Sequence, residues 1–307
     1  LFRSDYFKKN KPIMMFGFIL ATVSKPLFIL ANGVPMIVVS KIMERLSNGV
    51  MATPRDAFVS NAVPADKRGQ ALGLLMTMKT IGCTIGSLLI GGLLVITNNY
   101  TLLLWGGFGV CFIAILVLGK YVKEDHSFYT NKDYHQNAFH WRELKTLKAS
   151  YWSIIAVAGI FMAARLSDGF LILRFKELGG STALSASLIG IFNLISAFCC
   201  YPVGSLSDRL SRTGLLSISF IALISCHACF AYASGTFLGM LGVILWGVQR
   251  GTSQVLLTAM IAHEAPRHVI GTALGVFYLL TGLTAFISGS IGGRLANISI
   301  HYAFEYG

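Results

Sequence analysis

Apolar residues fall in nine long runs along this chain, at 12–31, 36–60, 71–96, 102–120, 151–174, 187–204, 214–233, 236–261 and 271–293. Each run holds roughly 18–27 residues. A helix needs about 20 apolar residues to cross the hydrocarbon core of a bilayer. Barrel strands are far shorter and alternate in polarity, and these runs do neither. The pattern predicts an all-α polytopic membrane protein. Short polar stretches separate the runs, and one longer stretch, 121–150, is rich in His, Lys and aromatic residues.

Composition agrees with the pattern. Of the 307 residues 54% are hydrophobic and 12% charged, where a soluble domain has about a quarter charged. The net charge of +12 raises the prospect of a nucleic-acid partner, but its distribution argues against one. If residues 1–11 are cytoplasmic, that side's loops hold Arg3, Lys8, Lys9, Lys11, Lys67, Arg68, Lys120, Lys123, Lys132, Arg142, Lys145, Lys148, Arg209, Arg212 and Arg267. The opposite side holds only Lys176 and Arg294. This asymmetry is the positive-inside signature, so the partner is the lipid bilayer and no nucleic acid is expected. A multi-pass membrane protein follows, with 121–150 in the cytoplasm.

Cofactor and metal patterns are not evident. All six cysteines lie in apolar runs, where Cys behaves as a small buried apolar residue. Cys226, His227 and Cys229 have no partner cluster elsewhere and read as helix packing, not a metal site. No phosphate-cradling Gly-x-x-x-x-Gly-Lys-Ser/Thr loop and no His-Glu-x-x-His helix occurs. The chain is therefore not expected to be an enzyme.

The sequence repeats itself. Asp5 and its surroundings match Asp208 at an offset of 203, and "PADKRGQALG" (64–73) matches "PRHVIGTALG" (266–275) at 202. The repeat predicts two helical bundles: 1–120, a linker at 121–150, and 151–307. It also predicts that the chain is a fragment. Two runs precede the loop at 204, none precedes its copy at residue 1, and the last helix is only starting at 301–307. A parent of twelve helices follows.

Gly204, Asp208, Arg209 and Arg212 form a Gly-x-x-x-Asp-Arg-x-x-Arg loop between two helices of one half. With the repeat and the polar linker, this resembles the major facilitator superfamily. The first copy departs from the motif, with Leu1, Tyr6 and Lys9 in place of Gly, Arg and Arg. Residues 53–74, 164–174 and 201–210 resemble a bacterial branch of that family. The resemblance implies a monomeric secondary active transporter of a small molecule, working by alternating access and coupled to an ion, the proton first among candidates. It also implies a cytoplasmic gate, with Asp5 near Gly271 and Asp208 near Gly69, each carboxylate at the positive N-terminus of a helix. Gly204 is expected to end its helix ahead of a tight loop. "GCTIGSLLIGG" (82–92) is similar to the glycine-rich element of export-type members and leans the direction toward export, although small residues at this spacing also simply pack helices. A non-transporting sensor or an intramembrane enzyme is the alternative.

Charges inside the runs carry the candidate chemistry. Each costs roughly 2.5–3.5 kcal/mol at mid-bilayer by insertion scales and needs a partner or a task. Lys25, Lys41, Glu44, Arg45, Arg55, Asp56 and Lys79 lie in the first half, and Arg165, Asp168, Arg174 and Arg250 in the second. Bases outnumber acids eight to three, which favours an anionic solute. Lys41 with Glu44, and Arg165 with Asp168, are three apart on one helix face. Asp168, with Arg165 as its switchable partner, is the proton-coupling candidate. Glu44, flanked by Lys41 and Arg45, is better suited to a fixed ion pair. Arg250, Lys25 and these groups make the substrate pathway. Arg55 and Asp56, adjacent and so pointing apart, are assigned to the gate with Lys9.

Overall fold

The computed structural model describes residues 10–97, 100–121, 147–266 and 269–307. These form eleven α-helices and one short 3-10 turn, with no strand among the described residues. The helices are α1 (Asn10–Ile29), α2 (Val34–Asn61), α3 (Arg68–Thr97), α4 (Tyr100–Tyr121), α5 (Ala149–Ala164), α6 (Asp168–Glu177), α7 (Thr182–Ser207), α8 (Arg212–Tyr232), α9 (Thr236–Glu264), α10 (Ile270–Ile298) and α11 (Ile300–Tyr306). Asp5, Lys9, Arg267 and linker residues 122–146 lie outside the described residues.

Among the described residues, seven spans are long and apolar enough to cross a membrane, the α5–α6 pair counting as one. Helices α2 and α9 have the length, at 28 and 29 residues, but their apolar runs are diluted. Lys41, Glu44, Arg45 and Asn48 interrupt α2, and Gln249, Arg250 and Gln254 interrupt α9. Large apolar side chains elsewhere point outward, with Phe198 73% and Phe286 74% exposed. That is costly in water and suits lipid.

The chain divides into two compact units, each assembled from separate stretches. Unit 1 comprises residues 1–62, 89–146 and 265–278; unit 2 comprises 63–88, 147–264 and 279–307.

In unit 1, α1 packs on α2 and on α4. Between α1 and α2 the contact is small and hydrogen-bonded. Ser40 Oγ donates to the Ser24 carbonyl at 2.7 Å and Ser47 Oγ to the Gly17 carbonyl at 2.8 Å. A Cβ on Gly17 would stand 3.0 Å from Met51 Cβ, so the backbones approach closely there. Lys11 Nζ donates to the Gly119 carbonyl near the end of α4, at 2.7 Å, where a cation suits the negative end of the helix.

Unit 2 is organised around α9, which packs on α5, α6, α7 and α8. Helix α7 meets it through Gly247 and Gly251, four residues apart; a Cβ on Gly251 would lie 2.6 Å from the Ser196 carbonyl oxygen. Buried Phe161, Leu171, Phe175, Phe192, Phe230, Trp246 and Phe304 fill the core. The run at 151–174 is not one helix. Arg165 leaves the helix with φ −80° and ψ 110°, and Ser167 is extended at φ −70° and ψ 145°. Leu166, 2% exposed, anchors the break in the core, and Ser288 Oγ donates to the Arg165 carbonyl at 3.4 Å.

Candidate functional site

The break between α5 and α6 sets the geometry of the central site. Because the backbone is extended at 165–167, Arg165 and Asp168 do not share a helix face, and the expected pairing between them does not form. Asp168 is instead the first residue of α6, where the helix dipole favours a carboxylate. Its partners come from α9. Arg250 Nη1 donates to Oδ2 at 2.5 Å and Trp246 Nε1 donates to Oδ1 at 3.0 Å. Positions 246 and 250 are one turn apart, so one face of α9 grips both carboxylate oxygens. Arg165 stands over the Trp246 ring at 5.5 Å, and Arg250 over the Phe192 ring at 5.2 Å, both within cation–π range.

On its other side Arg250 lines a small cavity of about 50 Å³ with Lys79, Thr80, Cys83, Asn193, Ser196 and Gln254. The lining carries two cations, two amides and two hydroxyls, and no carboxylate. Lys79 was expected as an intramembrane charge but not as a pathway residue, and Trp246, Asn193 and Gln254 were not among the expected site residues. Trp246 and Gln254 were detectable as the positions one turn either side of Arg250 on α9; Asn193 comes from α7 and carries no such signal.

In unit 1, Glu44 is held by Lys41 at 2.9 Å and by Lys25 of α1 at 3.2 Å. Lys25 thus takes the place expected for Arg45, which is exposed; adjacent helical residues do not face one another. Lys41 also lies 5.2 Å from the Phe28 ring centroid. Arg55 and Asp56 do not point apart. Arg55 Nε donates to Asp56 Oδ1 at 2.8 Å, and the Tyr278 hydroxyl donates to Oδ2 of the same carboxylate. Arg174 caps the end of α8, donating to the Phe230 carbonyl at 2.9 Å and pairing with Glu177 at 3.2 Å.

The second cluster surrounds the loop after α7. Asp208 accepts from the backbone N–H of Gly69 at 3.0 Å and of Gln70 at 2.8 Å. Both are orphan donors of the first turn of α3. Arg212 Nη2 lies 3.8 Å from Asp208, and its Nε donates to the Ser207 carbonyl at 3.0 Å; Arg209 is exposed. Gly204 does not end α7, which runs on to Ser207. Its function is contact. A Cβ on Gly204 would lie 2.8 Å from Gly73 Cα, and one on Gly73 would lie 2.8 Å from the Cys200 carbonyl oxygen. Helices α3 and α7 therefore touch backbone to backbone. By contrast a Cβ on Gly82 or Gly86 meets nothing within 4 Å, so these two glycines make no close helix contact among the described residues.

Comparisons with known proteins agree with this architecture. The model of the Major Facilitator Superfamily matches residues 2–289. An MFS-type transporter of Methanocaldococcus jannaschii is 26% identical over 99% of this chain and 76% of its own length. Among solved structures, the human organic anion transporter MFSD10 superposes with a TM-score of 0.70 at 13% identity, over 98% of this chain and 75% of that one. The E. coli fucose:proton symporter does so at 0.70 and 12% identity, over 97% and 82%. A family match across nearly the whole chain, carried on a set of long apolar helices, makes this protein a member of the Major Facilitator Superfamily.

Proposed function

We propose that the protein is a secondary active transporter of a small anionic solute, operating by alternating access and coupled to protons through Asp168. The observation that carries this reading is the arrangement at the α5–α6 break, where Asp168 is gripped by Arg250 and Trp246. A carboxylate inside a membrane span needs a compensating partner or a job. One whose partner sits on another helix can lose it when helices move. The basic excess in the runs supports an anion as cargo. Among the structural neighbours, the name of the organic anion transporter is in keeping with such a cargo and that of the fucose:proton symporter with proton coupling. The Asp208 contact with Gly69 and Gln70 serves in this reading as the gate on the charged-loop side, which faces the cytoplasm of a bacterial inner membrane.

The test uses proteoliposomes carrying the protein together with any sequence that flanks these 307 residues, with labelled lactate, succinate, citrate and inorganic phosphate as probes. The wild type is expected to accumulate at least one of them when a pH gradient is imposed. Asp168→Asn keeps the side-chain shape and removes its titration, so accumulation falls to the level without a gradient while counterflow exchange persists. Wild-type accumulation in Asp168→Asn excludes Asp168 as the coupling group. The direction of net movement is read from the same experiment.

A further inference from the structure

Two cavities at the charged-loop end of unit 2 run into one another. The first, of about 280 Å³, is a groove between α5, α8 and the end of α9, walled by Ile154, Val157, Leu216, Phe220 and Met260. The second, of about 370 Å³, lies at the α7–α8 loop and is lined by Asp208, Arg209, Arg212, His263 and Glu264. Ile154, Thr213 and Met260 line both. A hydrocarbon-walled groove thus opens into a charged mouth. Ser153 and Val157 on α5 and Ser217 on α8 form its rim and are exposed, so the groove is reached from the lipid side of these helices.

Two arginines and two carboxylates line the mouth, but they are not equally available. Asp208 accepts from the N–H groups of Gly69 and Gln70 and has Arg212 at 3.8 Å. Glu264 accepts from the Ser150 hydroxyl and has His263 at 3.7 Å. Arg212 also donates to the Ser207 carbonyl. Arg209 is exposed, and its guanidinium makes no ion pair among the described residues. The charge left over for a ligand is therefore a cation with its full set of donors, placed where an apolar groove begins.

We propose that the joined cavity seats one anionic phospholipid from the leaflet on the charged-loop side, with its phosphodiester on Arg209 and one acyl chain in the groove between α5 and α8. A planar guanidinium matches two phosphate oxygens at once. A soluble anion would fill the mouth and leave the groove empty of hydrocarbon; an apolar molecule would fill the groove and leave Arg209 without an anion. An amphiphile satisfies both. Beyond the groove, Ile218 and Ile221 of α8 are exposed and offer an apolar surface to the second chain. The excess of Lys and Arg in the loops predicted to lie on this side adds a field that favours a negative headgroup over a zwitterionic one.

Such a lipid touches α5, the α7–α8 loop, α8 and the end of α9 at once, and it binds the folded arrangement of these elements only. It therefore stabilises the protein by mass action. The site includes neither Asp168 nor Arg250, so it stands or falls apart from the coupling reading.

The experiment uses the protein with any flanking sequence, in nanodiscs of phosphatidylglycerol, phosphatidylethanolamine and phosphatidylcholine in equal parts with identical acyl chains. Native mass spectrometry counts the lipids that stay on the protein when the disc is removed. One phosphatidylglycerol is expected to remain, favoured about fivefold over either zwitterionic lipid, the effect of one basic residue beside an anionic headgroup. Arg209→Gln should remove the preference, and Arg209→Lys, which keeps the charge, should retain most of it. Ser217→Trp fills the groove from its rim and should lower retention of every lipid; Ser153→Trp, on the facing helix, does the same if the first variant does not fold, as judged by helical content. Added phosphatidylglycerol should raise the melting temperature in detergent, and glycerol 3-phosphate at millimolar concentration should not. No preference for phosphatidylglycerol in the wild type, or a preference that survives Arg209→Gln, overturns the proposal. Retention untouched by a folded groove variant also overturns it, and means that another part of the protein covers the groove. Equal stabilisation by glycerol 3-phosphate overturns it in favour of a soluble phosphate.

Discussion

At the scale of single residues, the two glycines at the α3–α7 crossing carry the sharpest consequence. Gly73 and Gly204 leave no space for a Cβ, since the atoms it would meet are backbone and cannot rotate away. Gly204→Val should therefore destabilise by about 1–3 kcal/mol through overpacking, read as a lower melting temperature in detergent. Asp208→Asn acts differently. It leaves the shape but removes the charge at the N-terminus of α3, a loss of about 0.3–2 kcal/mol. A lone cysteine replacing Thr77, on the same α3–α7 seam, should then label faster with a soluble maleimide, at normal expression; unchanged labelling leaves Asp208 a capping residue only. The motif around Gly204 was visible in the sequence, but the reason for its glycine was not. A glycine near a charged loop looks like a helix terminator, and only the position of Gly73, 131 residues earlier, shows that it is a contact.

At the scale of helices, the length of the apolar runs located nearly every element. It missed the interruption at 165–167 because Arg-Leu-Ser contains neither proline nor glycine. The break is imposed by tertiary packing of Leu166 and by the new helix starting at Asp168. With it missed, the nearest opposite charge in sequence looked like the partner of Asp168, whereas the actual one is 82 residues away. Helix pairing in unit 1 offers a contrast in magnitude. Ser40→Ala and Ser47→Ala each delete one interhelical hydrogen bond, and such bonds average about 0.6 kcal/mol in membranes. Either change should barely shift the denaturation midpoint in detergent. Gly17→Leu, which forces the α1 and α2 backbones apart at Met51, should shift it clearly more.

At the scale of the molecule, the distribution of Lys and Arg predicts an orientation that needs no knowledge of cargo. A cysteine replacing Leu210, which is 57% exposed in the α7–α8 loop, should react with an impermeant maleimide in inside-out vesicles only. One replacing Lys176, at the other end of unit 2, should react in right-side-out vesicles only. The reverse pattern would invert the gate assignment.

The contact at the charged-loop end of α3 and α7 brings together glycine backbone at Gly73 and Gly204 and two N–H groups bound to one carboxylate, beside the buried pair Met76 and Cys200. Heat capacity changes when apolar surface is exposed to water, by about 0.45 cal/K/mol for each Å². Exposed peptide changes the heat capacity with the opposite sign, by about −0.26 cal/K/mol for each Å², so where the glycine backbone and the two N–H groups part together with Met76 and Cys200 the two contributions offset and the net change should be small. Opening would then give a van't Hoff plot that stays nearly straight from cold to warm, its slope set by a single enthalpy, where a greasier joint would give a curved one.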